Sequence, residues 1–460
     1  MGHRNAEIVI CGAGIAGISV AWQLAVQHGM RNVVLVDERP PMSLTSDKST
    51  EAYRNWWPGP DDAMVRLMNR SIDLLEELAD ASDNRFQMNR RGYLYATADP
   101  ARAETMRDDA LRAERYGAGE LRIQSGRVTD PEYLLAPATG WHDQPTGADL
   151  IVDDVLIRQA FPYLSPDTYA VLHARRCGWL SGQQLGMLLL EQARAVGVEL
   201  LEGRVDRVET SGGRVSSVQV SAPEEVLSID TPHFINAAGP MLQSVGALLG
   251  LELPVFSELH LKAWIDDDLA VVPRDAPFMI WEDGQRIGWS NEEREFIAEL
   301  PDGELLLGEL PAGVHGRVEG GPGSRHLLVL WPYHLDPVAE RFPLAIPDHY
   351  AEICVRGLSA MIPGLAAYGE RMARPFVDGG YYTKCRDNRP LAGPLPIEGA
   401  FVHGALSGYG LMASMATSEI VAAHVTGGEL PGHAEAFHPR RWEDEAYLET
   451  IETWDDATQL

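Results

Sequence analysis

Ten residues near the start, Ile8-Val9-Ile10-Cys11-Gly12-Ala13-Gly14-Ile15-Ala16-Gly17, constrain the fold more than any other stretch. A β-branched apolar run ends in Gly-x-Gly-x-x-Gly, and Ile18 to His28 then read as a helix. Gly12 permits the tight turn out of the strand, Gly14 lets a pyrophosphate approach the backbone, and Gly17 lets helix and strand pack closely. The first helical N–H groups lack internal partners and lie at the positive end of the helix dipole, so an anion there is stabilised. A second strand, Val33-Val34-Leu35-Val36, closes on Asp37 and Glu38. Asp37 lies 20 residues beyond Gly17, where a carboxylate accepts hydrogen bonds from an adenosine ribose. The whole unit predicts a dinucleotide site on a Rossmann-type α/β domain.

At 460 residues the chain exceeds one ordinary domain, and 45% hydrophobic residues can fill more than one core. A formal charge of −29 argues against nucleic acid and anionic membrane surfaces as partners, since both would repel it. Cys11, Cys177, Cys354 and Cys385 show no C-x-x-C spacing, which fits a reduced, cytoplasmic setting. The first strand begins almost at once, so no signal peptide is expected. No apolar run approaches the roughly 20 residues that span a bilayer. No metal-ligand or nucleophile motif is visible either. Only Lys48, Lys262 and Lys384 are lysines; every other long-chain base is arginine.

After Asp37 comes Arg39 to Thr50, rich in hydroxyls and interrupted by Pro40 and Pro41, followed by the aromatic segment Tyr53-Arg54-Asn55-Trp56-Trp57. Residues 61–81 carry Met64, Leu67, Met68, Ile72, Leu75 and Leu78 at helical spacing, with both methionines expected in the core. Further helices are expected at 183–196, 346–361 and 411–425. From about Leu251 strands separated by long loops predominate, at 259–265, 278–281, 305–307 and 327–330, and glycine-rich 311–323 reads as an exposed loop. The expected division is a discontinuous cofactor domain (1–90, 150–250, 370–432), an inserted α+β substrate domain on an antiparallel sheet (91–149, 251–369), and a C-terminal extension, 433–460.

Four features in this order, Gly12 to Gly17 with Asp37, Gly203-Arg204-Val205, Asn236-Ala237-Ala238-Gly239 and Ser407-Gly408-Tyr409-Gly410, resemble the D-amino-acid-oxidase-like superfamily of FAD oxidoreductases. Within it the likeness is to the sarcosine oxidase and dimethylglycine dehydrogenase branch. The resemblance implies that Gly12, Ala13, Gly14, Ile15, Ala16, Gly17, Asp37, Glu38 and Arg39 hold the ADP half of FAD, with Val205 pairing its backbone with adenine. It also implies that Ser46, Lys48, Ser49 and Thr50 pass over the flavin and that Ala238 and Gly239 line the cofactor. Gly408, Tyr409, Gly410, Leu411 and Met412 would place N–H groups and a helix N-terminus at the flavin pyrimidine edge. Fixed donors there stabilise the negative charge of reduced flavin.

In sarcosine oxidases an arginine at the place of Arg54 holds the substrate carboxylate, and Tyr382 sits at the family's active-site tyrosine. The flavin-linking cysteine of sarcosine oxidase would fall at Gly380, and the dimethylglycine branch's flavin-linking histidine has no counterpart between Ser46 and Arg54, so FAD is expected to be non-covalent. The family's carboxylate-binding lysine falls at Met412, and the strand region 325–334 holds no oxygen-activating lysine. Lys262 or Lys384 therefore becomes a candidate replacement, with His260 and Tyr333 as further candidates, and the acceptor leans away from O2 towards a carrier. The expected reaction is hydride removal from the carbon beside an amine of a small molecule, a secondary amine or N-alkyl amino acid, giving an imine. Trp56 and Trp57 suggest a substrate bulkier than sarcosine. Two alternatives stand: a 2-hydroxyacid or polyol-phosphate dehydrogenase of the same superfamily, and a flavin subunit or assembly factor active in a homo- or hetero-oligomer.

Overall fold

The computed structural model describes residues 2–454 apart from 322, 334, 335, 370, 371, 373 and 374. A six-stranded sheet carries the N-terminal motif, in the order Glu199–Glu202, Val33–Asp37, Ile8–Cys11, Phe234–Asn236, Ala400–Gly404, Leu391–Pro394. The first five are parallel and the last is antiparallel. Ile8, Val9 and Ile10 are buried on both faces, as parallel strands covered by helices must be. The helix Ile15–Trp22 is buried along its whole length and packs against the small-residue helix Gly410–Thr426. Buried His403 joins these pieces: Nδ1 meets Ala16 O at 2.9 Å and Nε2 meets Thr417 Oγ1 at 2.7 Å. Burial pushes its pKa down to about 4, so the ring is neutral.

Behind this sheet lies a meander, Arg204–Ser211, Arg214–Ser221 and Val226–Asp230, edged by Gly2–Asn5. The amphipathic helix appears at Ala63–Ala81 with Met64 and Met68 buried, against Gly410–Thr426, and Arg70 grips Glu419 across the pair at 2.6 Å.

The second layer is a nine-stranded sheet in the order Phe376–Lys384, Phe256–Asp266, His326–Leu330, Val314–Val318, Phe278–Trp281, Tyr93–Thr97, Ala170–Ala174, Ala148–Ile151, Leu121–Gln124. An antiparallel sheet is expected from the sequence, but this one is mixed. Phe278–Trp281 runs parallel to Tyr93–Thr97, and Leu121–Gln124 parallel to Ala148–Ile151. Segments distant in the chain meet at those seams, and nothing local dictates their sense. Ala170–Ala174 and Phe376–Lys384 also pair here, although the expected division groups them with the cofactor unit.

Two local expectations are corrected. Residues 305–307 belong to a short helix, Gly303–Leu307, rather than a strand. The supposed loop 311–323 contains the buried strand Val314–Val318 in mid-sheet. Gly316 fits there because a Cβ would stand 2.8 Å from Leu328 O, so its lack of a side chain reflects close packing, not exposure. Among the described residues no helix is long and apolar enough to cross a membrane.

Candidate active site

A cleft of about 820 Å³ runs along the carboxyl ends of the parallel strands, where ligands bind in open α/β sheets. Gly14 and Gly408 both line it, so the first glycine turn and the turn before the last helix open onto one space. Gly12 has φ +109°, and a Cβ there would stand 2.3 Å from Ala237 O. A Cβ on Gly17 would stand 1.8 Å from Gly12 O. At Gly14 the nearest obstacle within 4 Å would be Ser46 Oγ, at 3.1 Å; there the backbone faces the cleft. The Ser46 hydroxyl accepts from Ile15 N–H at 2.9 Å, one of the donors a phosphate oxygen would use.

The Asp37 carboxylate accepts from Ala13 N–H at 2.6 Å and Arg39 N–H at 2.9 Å, which steadies the glycine turn. It lines both this cleft and a neighbouring cavity of about 950 Å³ bordered by Glu38, Val205 and Val245. Together they form one elongated trough.

At the other end, Ala405 (φ 52°) and Ser407 (φ 48°) occupy the left-handed region, which costs non-glycine residues energy. Ser407 is held by its N–H bond to Thr383 O at 3.0 Å. This kinked turn aims the N-terminus of Gly410–Thr426 into the trough, and the first N–H groups of a helix have no partner within it.

A second cavity, of about 1050 Å³, shares Tyr382, Ser407 and Gly408 with the first. Its walls are aromatic: Tyr93, Phe278, Trp331, Tyr350, Tyr382 and Tyr409. Arg54 lines it as a buried cation, 6% exposed. Its Nη1 donates to Tyr95 Oη at 3.0 Å, and its guanidinium lies 4.3 Å over the Trp57 ring, which meets Tyr409 edge-on. Among the described residues no carboxylate pairs with it. Burying an unpaired cation costs several kcal/mol, a cost that an anion in the cavity would offset.

His260 and Lys384, on two paired strands, also line the cavity, and both bind Glu258, which lies outside its lining. Glu258 accepts from His260 Nε2 at 3.0 Å and from Lys384 Nζ at 3.1 Å. Burial works against this carboxylate, but the His260 hydrogen bond and the Lys384 charge outweigh it and hold its pKa below the usual range. The His260 ring stacks on Tyr382 at 4.0 Å and 13°. His315 also lines the cavity, with Nδ1 on Gly313 O at 2.7 Å. Burial pushes its pKa down to about 4.

The lysines settle along one seam. Lys48 pairs with Asp378 at 2.6 Å, and Lys262 donates to the carbonyls of Asp47 and Ser49 at 2.8 and 3.1 Å. Both tie the loop after Pro41 to the large sheet. Lys262 is absent from the lining of both cavities, whereas Lys384 borders the second. Tyr333 packs against Trp331 and Tyr350 behind the cavity wall.

Glu51 lies beneath the same loop, 3.8 Å from Arg317. Burial raises its pKa to about 7 against the pull of Arg317 and Lys262. The folded protein therefore holds this proton more tightly than the unfolded chain. The stabilisation is complete below the ordinary carboxylate pKa and is lost as pH rises through about 7. Denaturant unfolding at pH 5 and pH 8 is expected to show wild type losing on the order of 3 kcal/mol relative to Glu51→Gln between them.

Sequence reasoning missed Glu258 and His315. Glu258 stands two residues before His260, so strand periodicity already puts both on one face. His315 is hidden by the loop-like composition around it, and only sheet pairing brings it inward.

A trough at the Rossmann switch point opens at Tyr382 onto an aromatic chamber lined by both Arg54 and Lys384, an architecture suited to a dinucleotide with a small molecule beside it. The chain belongs to the FAD dependent oxidoreductase (DAO) family, whose profile matches residues 7–424. It is 21% identical over 435 residues to sarcosine oxidase subunit beta of Rhodobacter capsulatus, covering 94% of this chain and 87% of that one. It is also 25% identical over 257 residues to mitochondrial dimethylglycine dehydrogenase of Rattus norvegicus, covering 56% of this chain. That match spans about a quarter, 26%, of the dehydrogenase's length. In fold it is similar to L-proline dehydrogenase from P. horikoshii, with TM-score 0.73 and 18% identity, covering 96% of this chain and 98% of that one.

Proposed function

We propose that this enzyme oxidises a secondary amine bearing a carboxylate, an N-alkyl amino acid bulkier than sarcosine, to the imine. The observation that carries this reading is Arg54, a buried guanidinium without a carboxylate partner among the described residues, set in an aromatic chamber beside the cofactor trough. A planar guanidinium matches a carboxylate bidentately, and the ring walls suit an apolar side chain. The names of the sarcosine and dimethylglycine relatives support amine chemistry.

FAD would lie along the trough. Gly12 to Gly17 and Asp37 would hold its ADP half with Val205 beside the adenine, and the turn Ser407–Gly410 would face the flavin. When bound, it accepts a hydride from the carbon next to nitrogen. The protein's part is to fix the carboxylate on Arg54, exclude water with the aromatic walls, and orient that C–H bond towards the junction at Tyr382.

FAD is held without a covalent link. The cysteine position of the family is Gly380, where a Cβ would point at Lys48 and Thr45. Acid precipitation is expected to leave the yellow colour in the supernatant; a yellow pellet overturns this. The reading of function is tested by anaerobic bleaching of the purified flavin with N-alkyl amino acids, simple amines and 2-hydroxy acids. Bleaching by N-alkyl amino acids alone is expected, and bleaching by hydroxy acids alone refutes it.

A further inference from the structure

We propose that the C-terminal segment 433–454 is a strap that positions Arg54: Arg441 and Tyr447 lock the turn at Asp387, and that turn seats the aromatic pair on which the guanidinium rests. The inference rests on the reading of Arg54 as the group that takes the substrate carboxylate. The segment lies beyond residues 7–424, which match the family profile. It contributes no residue to the lining of either cavity, so its effect on the chamber has to pass through other side chains.

The chain leaves the large sheet at Lys384 and enters the Rossmann sheet at Leu391, so the turn 385–390 joins the two layers. Asp387 sits in this turn with no exposed side-chain surface. Its own turn supplies one donor, the Arg389 N–H at 3.0 Å. Among the described residues the other donors come from the strap. Arg441 meets both carboxylate oxygens, at 2.6 and 3.2 Å, and the Tyr447 hydroxyl donates at 2.6 Å. Arg441 also donates to the Arg389 carbonyl at 3.0 Å. Arg389 in turn pairs with Asp61, just before the helix Ala63–Ala81, at 2.6 Å, and its guanidinium lies 4.7 Å over the Trp454 ring. A buried carboxylate stripped of its partner is costly, so the turn keeps this shape only while the strap is docked.

Within the turn, Asn388 occupies the left-handed region (φ 49°), and its carbonyl accepts the Tyr409 hydroxyl. Tyr409 lines the aromatic chamber, and its ring meets Trp57 edge-on at 5.3 Å. Trp57 is buried, and its Nε1 has no hydrogen-bond partner among the described residues, so ring packing orients it. Arg54 lies 4.3 Å over that ring, and its side-chain hydrogen bond goes to Tyr95. Support therefore runs from Arg441 through Asp387 and Tyr409 to Trp57 and Arg54. Every link is a direct contact, and a close-packed interior transmits a displacement instead of absorbing it.

The test titrates the FAD-loaded enzyme with 3-phenylpropionate and with the uncharged 3-phenylpropionamide, each followed by flavin absorbance. Wild type is expected to prefer the carboxylate. Arg441→Gln is expected to bind the carboxylate about tenfold more weakly and the amide as wild type does. Arg441→Lys, which keeps the charge, is expected to recover most of that loss. Tyr447→Phe removes one hydroxyl and leaves the ion pair; it is expected to lose about threefold, and it serves if Arg441→Gln does not fold. In a Tyr409→Phe background, where the contact with Asn388 is gone, the strap substitutions are expected to add almost nothing, because effects along one line of support are not additive. Equal losses for both ligands, or full additivity with Tyr409→Phe, would show a strap that only stabilises the fold and would overturn the inference. Strap variants that keep the wild-type preference for the carboxylate overturn it too. A wild type that binds the amide as tightly as the acid overturns the reading of Arg54, and the role of the strap with it.

Discussion

Arg54→Gln is expected to lower kcat/KM for a carboxylated amine by about 10²- to 10³-fold while leaving the protein yellow. Truncating one partner of a buried charge pair costs about 2–5 kcal/mol, and each 1.4 kcal/mol is tenfold. The guanidinium is 6% exposed and is held by Tyr95 and Trp57 rather than by an acid, so the substrate supplies the only carboxylate the chamber offers it among the described residues. The loss should therefore vanish for an amine lacking a carboxylate, for which wild type and variant should react alike. Stopped-flow reduction with N-methylphenylalanine and with its decarboxylated counterpart makes the comparison. Equal losses with both would show that Arg54 only supports the pocket walls. Removing an unpaired buried charge should also leave the thermal midpoint unchanged or raise it.

Gly17→Ala and Gly14→Ala should fail in different ways. At Gly17 the added methyl would lie 1.8 Å from Gly12 O and 2.9 Å from Gly12 C, both backbone atoms that cannot step aside. The helix must then separate from the strand, at a cost of 1–3 kcal/mol or more. The expected protein is colourless and has a lowered unfolding midpoint. At Gly14 the methyl meets only the Ser46 hydroxyl, at 3.1 Å, so the empty protein should melt as wild type does. It should nonetheless lose FAD, because the methyl projects where the pyrophosphate must approach. Absorbance at 450 nm per protein, with melting of the FAD-stripped forms, separates the two. Tight FAD binding by Gly14→Ala would contradict the trough as the cofactor site.

The contrast between these sites shows where the chain speaks for itself. The strand, turn and helix at Ile8–Trp22 are encoded within a few residues, since periodicity, glycine placement and the acid at 37 are all local properties. The helix Ala63–Ala81 is equally local, its apolar positions recurring at the helical period. Candidate residues inferred from a family likeness were partly regrouped by the fold. Arg54, His260, Tyr382 and Lys384 do share one chamber, whereas Lys262 turns beneath the loop after Pro41. Lys262 and His260 lie on one strand face by period, and strand position alone does not separate them.

The strand Val314–Val318 could not be read from its neighbourhood. Glycines and prolines dominate 311–323, and Gly316 mimics a loop residue although it is small for packing.

From the sequence alone, the protein carries the glycine turn and acid of a dinucleotide-type Rossmann unit, with an arginine and aromatics close behind in the chain. That much is short-range information: spacing, backbone freedom and burial pattern act within a turn or a strand. Only the tertiary structure decided which polar groups stand together at the aromatic cavity. Glu258, His315, Lys384 and Arg54 come from four strands of two sheets, and cross-strand register and sheet order, set by the packing of the whole core, bring them within reach of one another.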